Sequence, residues 1–438
     1  MKHKLLFFIF TGLIICNDTL VIIGNRIITK RDFIERAEYT IRPDYCKSNN
    51  NIEKKIILNS LIAEKILALE NKEKNLDFES YNLVNGIKEQ MMRKIMLEDR
   101  VNEILKINND DLLNLYANSQ FEYKVDFLTF SIENLNLVES HLNEQKSFED
   151  LSVKINTSPS KQFLTFFSCD NLLVRENLFN QSRFEGELIG PIQTKSDEYI
   201  LIKINKSKKT LIIDQTSQVN HYKRIKEIYL ESESRKIRKN YILDIMSEKK
   251  MVFNESSFIK LANSYLDNLS LDMLNPNEII FMLNEQTWKI EDLIELNKLN
   301  PILFRESFDN KADFYNQFKL AIVDIVQNHF LTKRAYELNY DNNFFVKNEY
   351  YTWSDYILAD DKKEFILNNN QDLNLYLENL FDKYSSTIII DVEMFDEINL
   401  SNIDMFVINK NQPYQLKVPP FPKLTTKNTL DYGVKKES

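Results

Sequence analysis

Glycine is almost missing from this chain. Six glycines and nine prolines in 438 residues leave little material for phosphate-cradling loops or wide turns, so most of the sequence reads as helix and polar loop. No glycine-rich phosphate loop and no G-x-S-x-G elbow occurs. Cysteine is scarce too. Cys16, Cys46 and Cys169 are too few for a disulfide framework, and Cys46 and Cys169 read as two isolated thiols. The four histidines, His3, His141, His221 and His329, stand in separate stretches without a neighbouring Cys or His, so no zinc site can be read. Positive charge is in deficit. A net charge of -9, with no basic cluster interleaved with aromatics, argues against nucleic acid as a partner. After residue 15 no stretch approaches 18 uncharged apolar residues, which excludes a later membrane-spanning helix.

What is present begins at the N-terminus. Met1-Lys2-His3-Lys4 is a basic segment and Leu5 to Ile15 an apolar run, too short to span a bilayer and fitting a secretory signal peptide over residues 1–17. Lipid anchoring at Cys16 is the alternative, against which stands Ile15 where a small residue is wanted. The length allows two to four domains. Leu20 to Ile28 reads as a β-hairpin turning at Gly24-Asn25. Thr29 and Asp32 then have the spacing of a helix cap. Helices follow over Ile52–Lys72, with Ile57, Leu61, Ile62 and Ile66 at spacings of three and four, and over Tyr81–Leu105. Phe121–Phe130 alternates as a strand, Asn134–Gln145 and Phe148–Val153 are helices, Phe163–Phe167 a strand and Leu172–Phe179 a helix. A turn at Gly190-Pro191 leads into Ile192, and Tyr199–Ile204 is an apolar strand. These elements imply a small α/β fold of about ninety residues set between helical segments.

Tyr222–Met246 returns to charged amphipathic helix. Beyond it the order of Leu20–Ala37 recurs: Ile279–Leu283, a turn at Asn284-Glu285, Thr287–Ile290, and a helix from Glu291. After Pro301, an apolar-striped helix over Phe314–Leu338 answers that over Ile52–Lys72, which points to an internal duplication. Tyr350–Leu367 and Leu373–Tyr384 are further helices. The strand Thr387–Val392 needs a host sheet, for which the Leu20–Ile28 hairpin is the obvious candidate. The Pro-containing tail after Asn409 reads as extended.

Chemistry is thinly represented. Glu285 with Asp292, and Asp391 with Glu393, read as solvated acids in a chain so rich in them. Cys169 has no histidine in its segment to activate it. Twenty-nine Phe and twenty Tyr are mostly core; some could line an apolar cradle for extended chains.

The hairpin LVIIGNRIITKRDF, the helix ILNSLIAEKILALE and the motif GELIGPIQTKSDEYILIKI together resemble the periplasmic chaperones that carry parvulin-type peptidyl-prolyl isomerase domains. The matched pieces are Ile23–Thr29 with Asp32-Phe33, Gly186–Ile192, and Glu198–Ile204. The resemblance implies an α+β chain, a mostly helical chaperone core with small hairpins plus an inserted parvulin-like α/β domain. It further implies a signal peptide at 1–17, an N-terminal chaperone segment at 18–118, the parvulin-like domain at 119–210, and a helical connector at 211–275. A second chaperone segment at 276–400 would return its terminal strand to the N-terminal unit, ahead of an extended tail at 401–438. The implied work is ATP-independent binding of unfolded exported polypeptides, outer-membrane proteins among them, in the periplasm, without cofactor or metal. The family places one histidine on the first domain strand and one on the last; here Phe127 and Ile200 stand at those positions, and Leu172 at that of a methionine lining the proline pocket. Those departures imply a degenerate isomerase domain. The alternative is an active isomerase that assists folding of exported proteins.

Overall fold

A computed structural model describes residues 18–38, 50–71, 74–194, 197–267, 274–308 and 310–401. The described chain is mostly helical with three small open antiparallel sheets, an α+β architecture. It divides into two compact units, residues 1–97 with 242–438, and residues 98–241. The leader expected at 1–17, Cys16, Cys46 and the tail after 401 lie outside the described residues.

The first unit opens on a hairpin, β1 (Thr19–Ile23) and β2 (Arg26–Thr29). Gly24 makes its turn at φ +58° with open space around it, a left-handed conformation that glycine adopts without steric cost. Thr29 and Asp32 cap the following helix reciprocally: the Thr29 hydroxyl accepts from the Asp32 amide at 3.0 Å and the Asp32 carboxylate from the Thr29 amide at 2.9 Å. That helix is α1 (Lys30–Glu38). The next, α2 (Asn51–Glu70), is capped by Asn50 and buries Ile57, Leu58, Leu61, Ile62, Ile66 and Leu67. A strand from the far end of the chain, β10 (Ile388–Ile390), pairs antiparallel with β1, Val21 opposite Ile390 and Ile23 opposite Ile388. The short α14 (Val392–Glu397) then sets Phe395 edge-on to Phe33, ring centroids 5.9 Å apart. The first and last described elements thus share one apolar core.

The same unit contains this arrangement twice. Strands β8 (Ile279–Leu283) and β9 (Gln286–Lys289), and helices α10 (Ile290–Leu299) and α11 (Lys311–Glu337), each start at the same distance beyond β1, β2, α1 and α2. Hydrogen bonds repeat with the backbone. The Lys289 amide donates to Asp292 at 2.9 Å as Thr29 does to Asp32. Ile290 N donates to Glu278 O as Lys30 N does to Asp18 O. Asn310 caps α11 as Asn50 caps α2. The third strand also has its counterpart: β7 (Met251–Phe253) pairs antiparallel with β8, and Asn254 N donates to Ile280 O as Asp391 N does to Leu20 O. Helix α9 (Glu255–Leu266) follows β7 as α14 follows β10, and closes a second, aromatic core.

The helix that follows each copy reaches the other. In α3 (Phe78–Ile104), behind the first copy, Gly86 lies so close to the Leu299 carbonyl of the second that no Cβ would fit. Arg93 of α3 donates to Thr332 Oγ1 at 2.6 Å and Asn300 Oδ1 at 2.8 Å; burial pushes this guanidinium down to about 10. In α12 (Phe344–Asn368), behind the second copy, Asp355 is fully buried between Arg26 Nε at 2.8 Å and Lys65 Nζ at 3.2 Å. Asn348 donates to Asp32 at 2.8 Å. Helix α13 (Leu373–Tyr384) completes the first core with Leu373, Leu377 and Leu380.

The second unit is a four-stranded sheet with helices on both faces. In chain order come α4 (Asn109–Asn118), β3 (Phe121–Ser131), α5 (Leu135–Asn143), α6 (Phe148–Lys154), β4 (Ser160–Thr165), α7 (Leu172–Phe179), β5 (Leu188–Gln193), β6 (Glu198–Lys209) and α8 (Gln215–Ile245). The sheet order is β4-β3-β6-β5, all antiparallel. The two-residue period of a strand separates its faces. Tyr123, Val125, Phe127, Ile202 and Ile204 pack with α7 and α8 residues on one side; Leu128, Phe130 and Leu201 pack with Val138, Phe148 and Leu151 on the other.

Three local readings of the sequence need correction here. Gly190-Pro191 is not a turn: it lies inside β5 as a cis peptide where the register against β6 shifts. A Cβ on Gly190, at φ +119°, would come within 2.7 Å of the Ile200 carbonyl, so the approach of β6 demands glycine. The strand expected at Phe163–Phe167 ends at Thr165, because Ser168 folds back and its Oγ accepts from Thr165 N at 2.8 Å. Helix α8 begins seven residues before Tyr222, where the Asp214 carboxylate accepts from Ser217 N at 2.7 Å.

Candidate functional site

The three positions singled out in the sequence lie on β3, β6 and α7. Phe127 stands on β3 opposite Ile202 on one neighbour and Ser160 on the other, and is 7% exposed. Ile200 stands on β6 opposite Thr129 of β3 and Ile192 of β5. It is half-buried on the same sheet face, packed against the cluster that holds Phe127, Ile192 and Val174. Leu172 is the first residue of α7, whose start is fixed by the Asn171 side chain accepting from Val174 N at 3.0 Å. It is 42% exposed and stands apart from the buried cluster. Two of the three positions therefore meet on one face; the third is a surface residue of a neighbouring helix.

Between Phe166 and Leu172 the chain is held tightly. Arg175 donates from Nε and Nη2 to the Cys169 carbonyl at 2.9 and 2.6 Å. The Cys169 thiol is free and buried, and burial pushes it up to about 11. A thiol that far above neutral pH carries almost no thiolate, the nucleophilic form. Around Phe127 and Ile200 the face offers apolar carbon together with the exposed Thr129 and Ser160. None of these residues supplies an acid or a base.

A Ser–His pair that sequence reading missed lies in the same unit. Ser119 Oγ and His221 Nε2 are 2.7 Å apart, but the hydroxyl already donates to the Tyr116 carbonyl at 2.8 Å. The histidine must then be the donor in the Ser–His bond, which leaves Nε2 unable to take the serine proton. Its ring is edge-on to Tyr116 and Phe167. Burial and the Arg224 charge hold it below the ordinary histidine value. This is packing rather than a nucleophile–base dyad. No sequence signal could have found it, since the two residues are 102 positions apart.

Among the described residues no cluster of three His, Cys, Asp or Glu could hold a metal ion, and no helix is long and apolar enough to cross a membrane. Two small cavities among the described residues are each about 10 Å³, room for one water. One is lined by Asp32, Arg36, Glu64 and Lys65 beside the buried Arg36–Glu64 pair, 2.8 Å; the other by Leu261, Tyr265, Ile290 and Phe318. The acids Asp292 and Asp391 turn out to be helix caps.

No protein-family model matches the chain, and no curated protein matches it. Among solved structures there is a weak, distant similarity to the foldase protein PrsA from Streptococcus pneumoniae. It has 14% sequence identity and a TM-score of 0.19, over 57% of this chain and 94% of that one. A likeness at that level carries no argument.

Proposed function

We propose that this chain is an ATP-independent chaperone for unfolded exported polypeptides, with residues 119–210 a divergent parvulin-like domain that binds or braces chains without catalysing proline isomerisation. The observation that carries the reading is the sheet built from the GELIGPIQTKSDEYILIKI motif. That motif forms β5 and β6 against β3, and at the two positions where the resembled family keeps histidines the face carries Phe127 and Ile200. Proline isomerisation needs polar groups that favour the twisted imide against a barrier of about 20 kcal/mol. Two hydrocarbon side chains supply no such group. Exposed apolar side chains on the same unit, among them Leu173, Phe184 and Ile213, suit contact with unfolded chains.

Two measurements test the two halves of the proposal. Aggregation of several unfolded clients should be suppressed at stoichiometric ratios of this protein, and no suppression for any client would remove the chaperone reading. The cis–trans exchange rate of a proline tetrapeptide should stay flat at high protein concentration. A faster rate, abolished by Leu172→Lys, would make the domain an active isomerase.

A further inference from the structure

We infer that the second unit binds an anionic membrane surface through the open half of its sheet. On the face that carries Leu128 and Phe130, helices α5 and α6 cover one half. The other half is described by three cross-strand rows. Phe163, Lys124 and Lys206 are partners across β4, β3 and β6; so are Lys161, Asp126 and Lys203, and so are Thr165, Glu122 and Lys208. Lys124, Lys161, Lys206 and Lys208 are exposed and have no ion-pair partner among the described residues. Lys203 is paired with Glu149. Counting Glu122, Asp126 and Glu149 against the five lysines still leaves the face positive, in a chain whose net charge is -9. In its first row stands Phe163, 54% exposed although it is an aromatic on a sheet.

Charge and shape together select the occupant. The four unpaired lysines are spread over three strands, about 4.8 Å apart from one strand to the next. An acidic chain lying along one strand reaches only part of that array, whereas a plane of headgroups meets all of it. Each lysine near an anionic leaflet contributes about a factor of five in binding (about 1 kcal/mol), and the effect decays within a Debye length. The aromatic among them can enter the headgroup layer, the combination by which peripheral proteins anchor. The sequence hides this patch because its lysines come from three separate strands and meet only in the sheet.

The experiment uses the full chain carrying Phe163→Trp, compared with wild type to subtract Trp288 and Trp353. With vesicles of 30% phosphatidylglycerol in phosphatidylcholine, the new indole should shift to the blue and be quenched by brominated lipid. Pure phosphatidylcholine should give neither change, and 0.5 M salt should reverse both. Adding Lys124→Ser with Lys206→Ser should weaken the response about 30-fold, the product of two such lysine contributions. Unchanged far-UV circular dichroism and melting would show that these surface variants still fold. An indole that stays in water while the chain sediments with vesicles would overturn the inference. So would a double lysine variant with undiminished response. A shift with polyglutamate but not with vesicles would overturn it as well, in favour of an acidic polypeptide.

Discussion

The buried ion cluster at Asp355 allows the sharpest test of how the first unit is held together. Asp355 on α12 is fully buried and accepts from Arg26 Nε on β2 and from Lys65 Nζ on α2. Arg26 is further held with its guanidinium 3.8 Å above the Tyr351 ring. Replacing Asp355 with Leu removes one charge and strands two. Lys65 is 3% exposed, and the Arg26 side chain is 11% exposed. Breaking one partner of a buried pair costs about 3–5 kcal/mol. The second cation, less buried, adds less than that. For a unit of this size about 1 kcal/mol moves the melting midpoint by roughly 2–4 °C, so the transition of this unit should fall by about 10–20 °C, with faster exchange of the protected amides in α2 and α12. The second copy of the repeat carries no charge at the two matching positions. Gln286 stands where the first copy has Arg26, and Ile325 where it has Lys65. The triple variant Arg26→Gln, Lys65→Ile, Asp355→Leu should therefore recover most of the loss, since replacing a whole buried ion set by apolar groups is near neutral. A triple variant as unstable as Asp355→Leu alone would refute the reasoning, because the loss would then come from shape and not from stranded charge.

Further outcomes follow from particular contacts. Gly86→Ala should cost about 1–3 kcal/mol, the range for overpacking, because its Cβ would collide with the Leu299 carbonyl; a melting midpoint equal to wild type would mean that α3 and α10 move apart freely. Phe395→Ala should cost about 3–5 kcal/mol, since Phe395 is 3% exposed and packs on Phe33, and should speed amide exchange in β10 and β1. His221 and His329 are both held below the ordinary histidine value, chiefly by burial, with Arg224 and Lys333 adding repulsion. With a depressed folded-state pKa the unfolded chain takes up the proton first. Their contribution is thus present above about pH 6.5 and lost as pH falls below it. His329→Gln should flatten the fall in melting midpoint between pH 7 and pH 5, and an unaltered slope would remove His329 as a cause.

The fold was legible where local chemistry decides it. Thr29 with Asp32, the three-and-four spacing of α2 and the strand alternation of Phe121–Phe130 are each a cap or a period that a few neighbouring residues determine, and the backbone follows them. It was not legible where a distant strand decides. Gly190-Pro191 has every local mark of a turn, and it is the pairing with β6 on either side, Ile189 with Ile202 and Ile192 with Ile200, that keeps it in a strand. The two repeats expose the same limit from the other side. Their starts keep one spacing across β1, β2, α1 and α2, while Arg26 and Lys65 have become Gln286 and Ile325. A hairpin and its caps need only an amide, an oxygen and a left-handed turn, which many side chains can supply, so the backbone persists while side chains drift. A site that works by holding apolar chains is subject to the same tolerance, for any hydrocarbon of suitable size serves. Phe127 and Ile200 could thus be located on a strand by pattern, but pattern could not say that they share a face while Leu172 lies outside their cluster. That followed only from the register of β3 against β6, and from a helix start capped by Asn171. If the face does bind chains by hydrocarbon contact, Phe127→Leu should leave client suppression close to wild type. Phe127→Asp should abolish it together with the packing of the sheet face, and retained suppression in the Asp variant would place the binding surface elsewhere on the molecule.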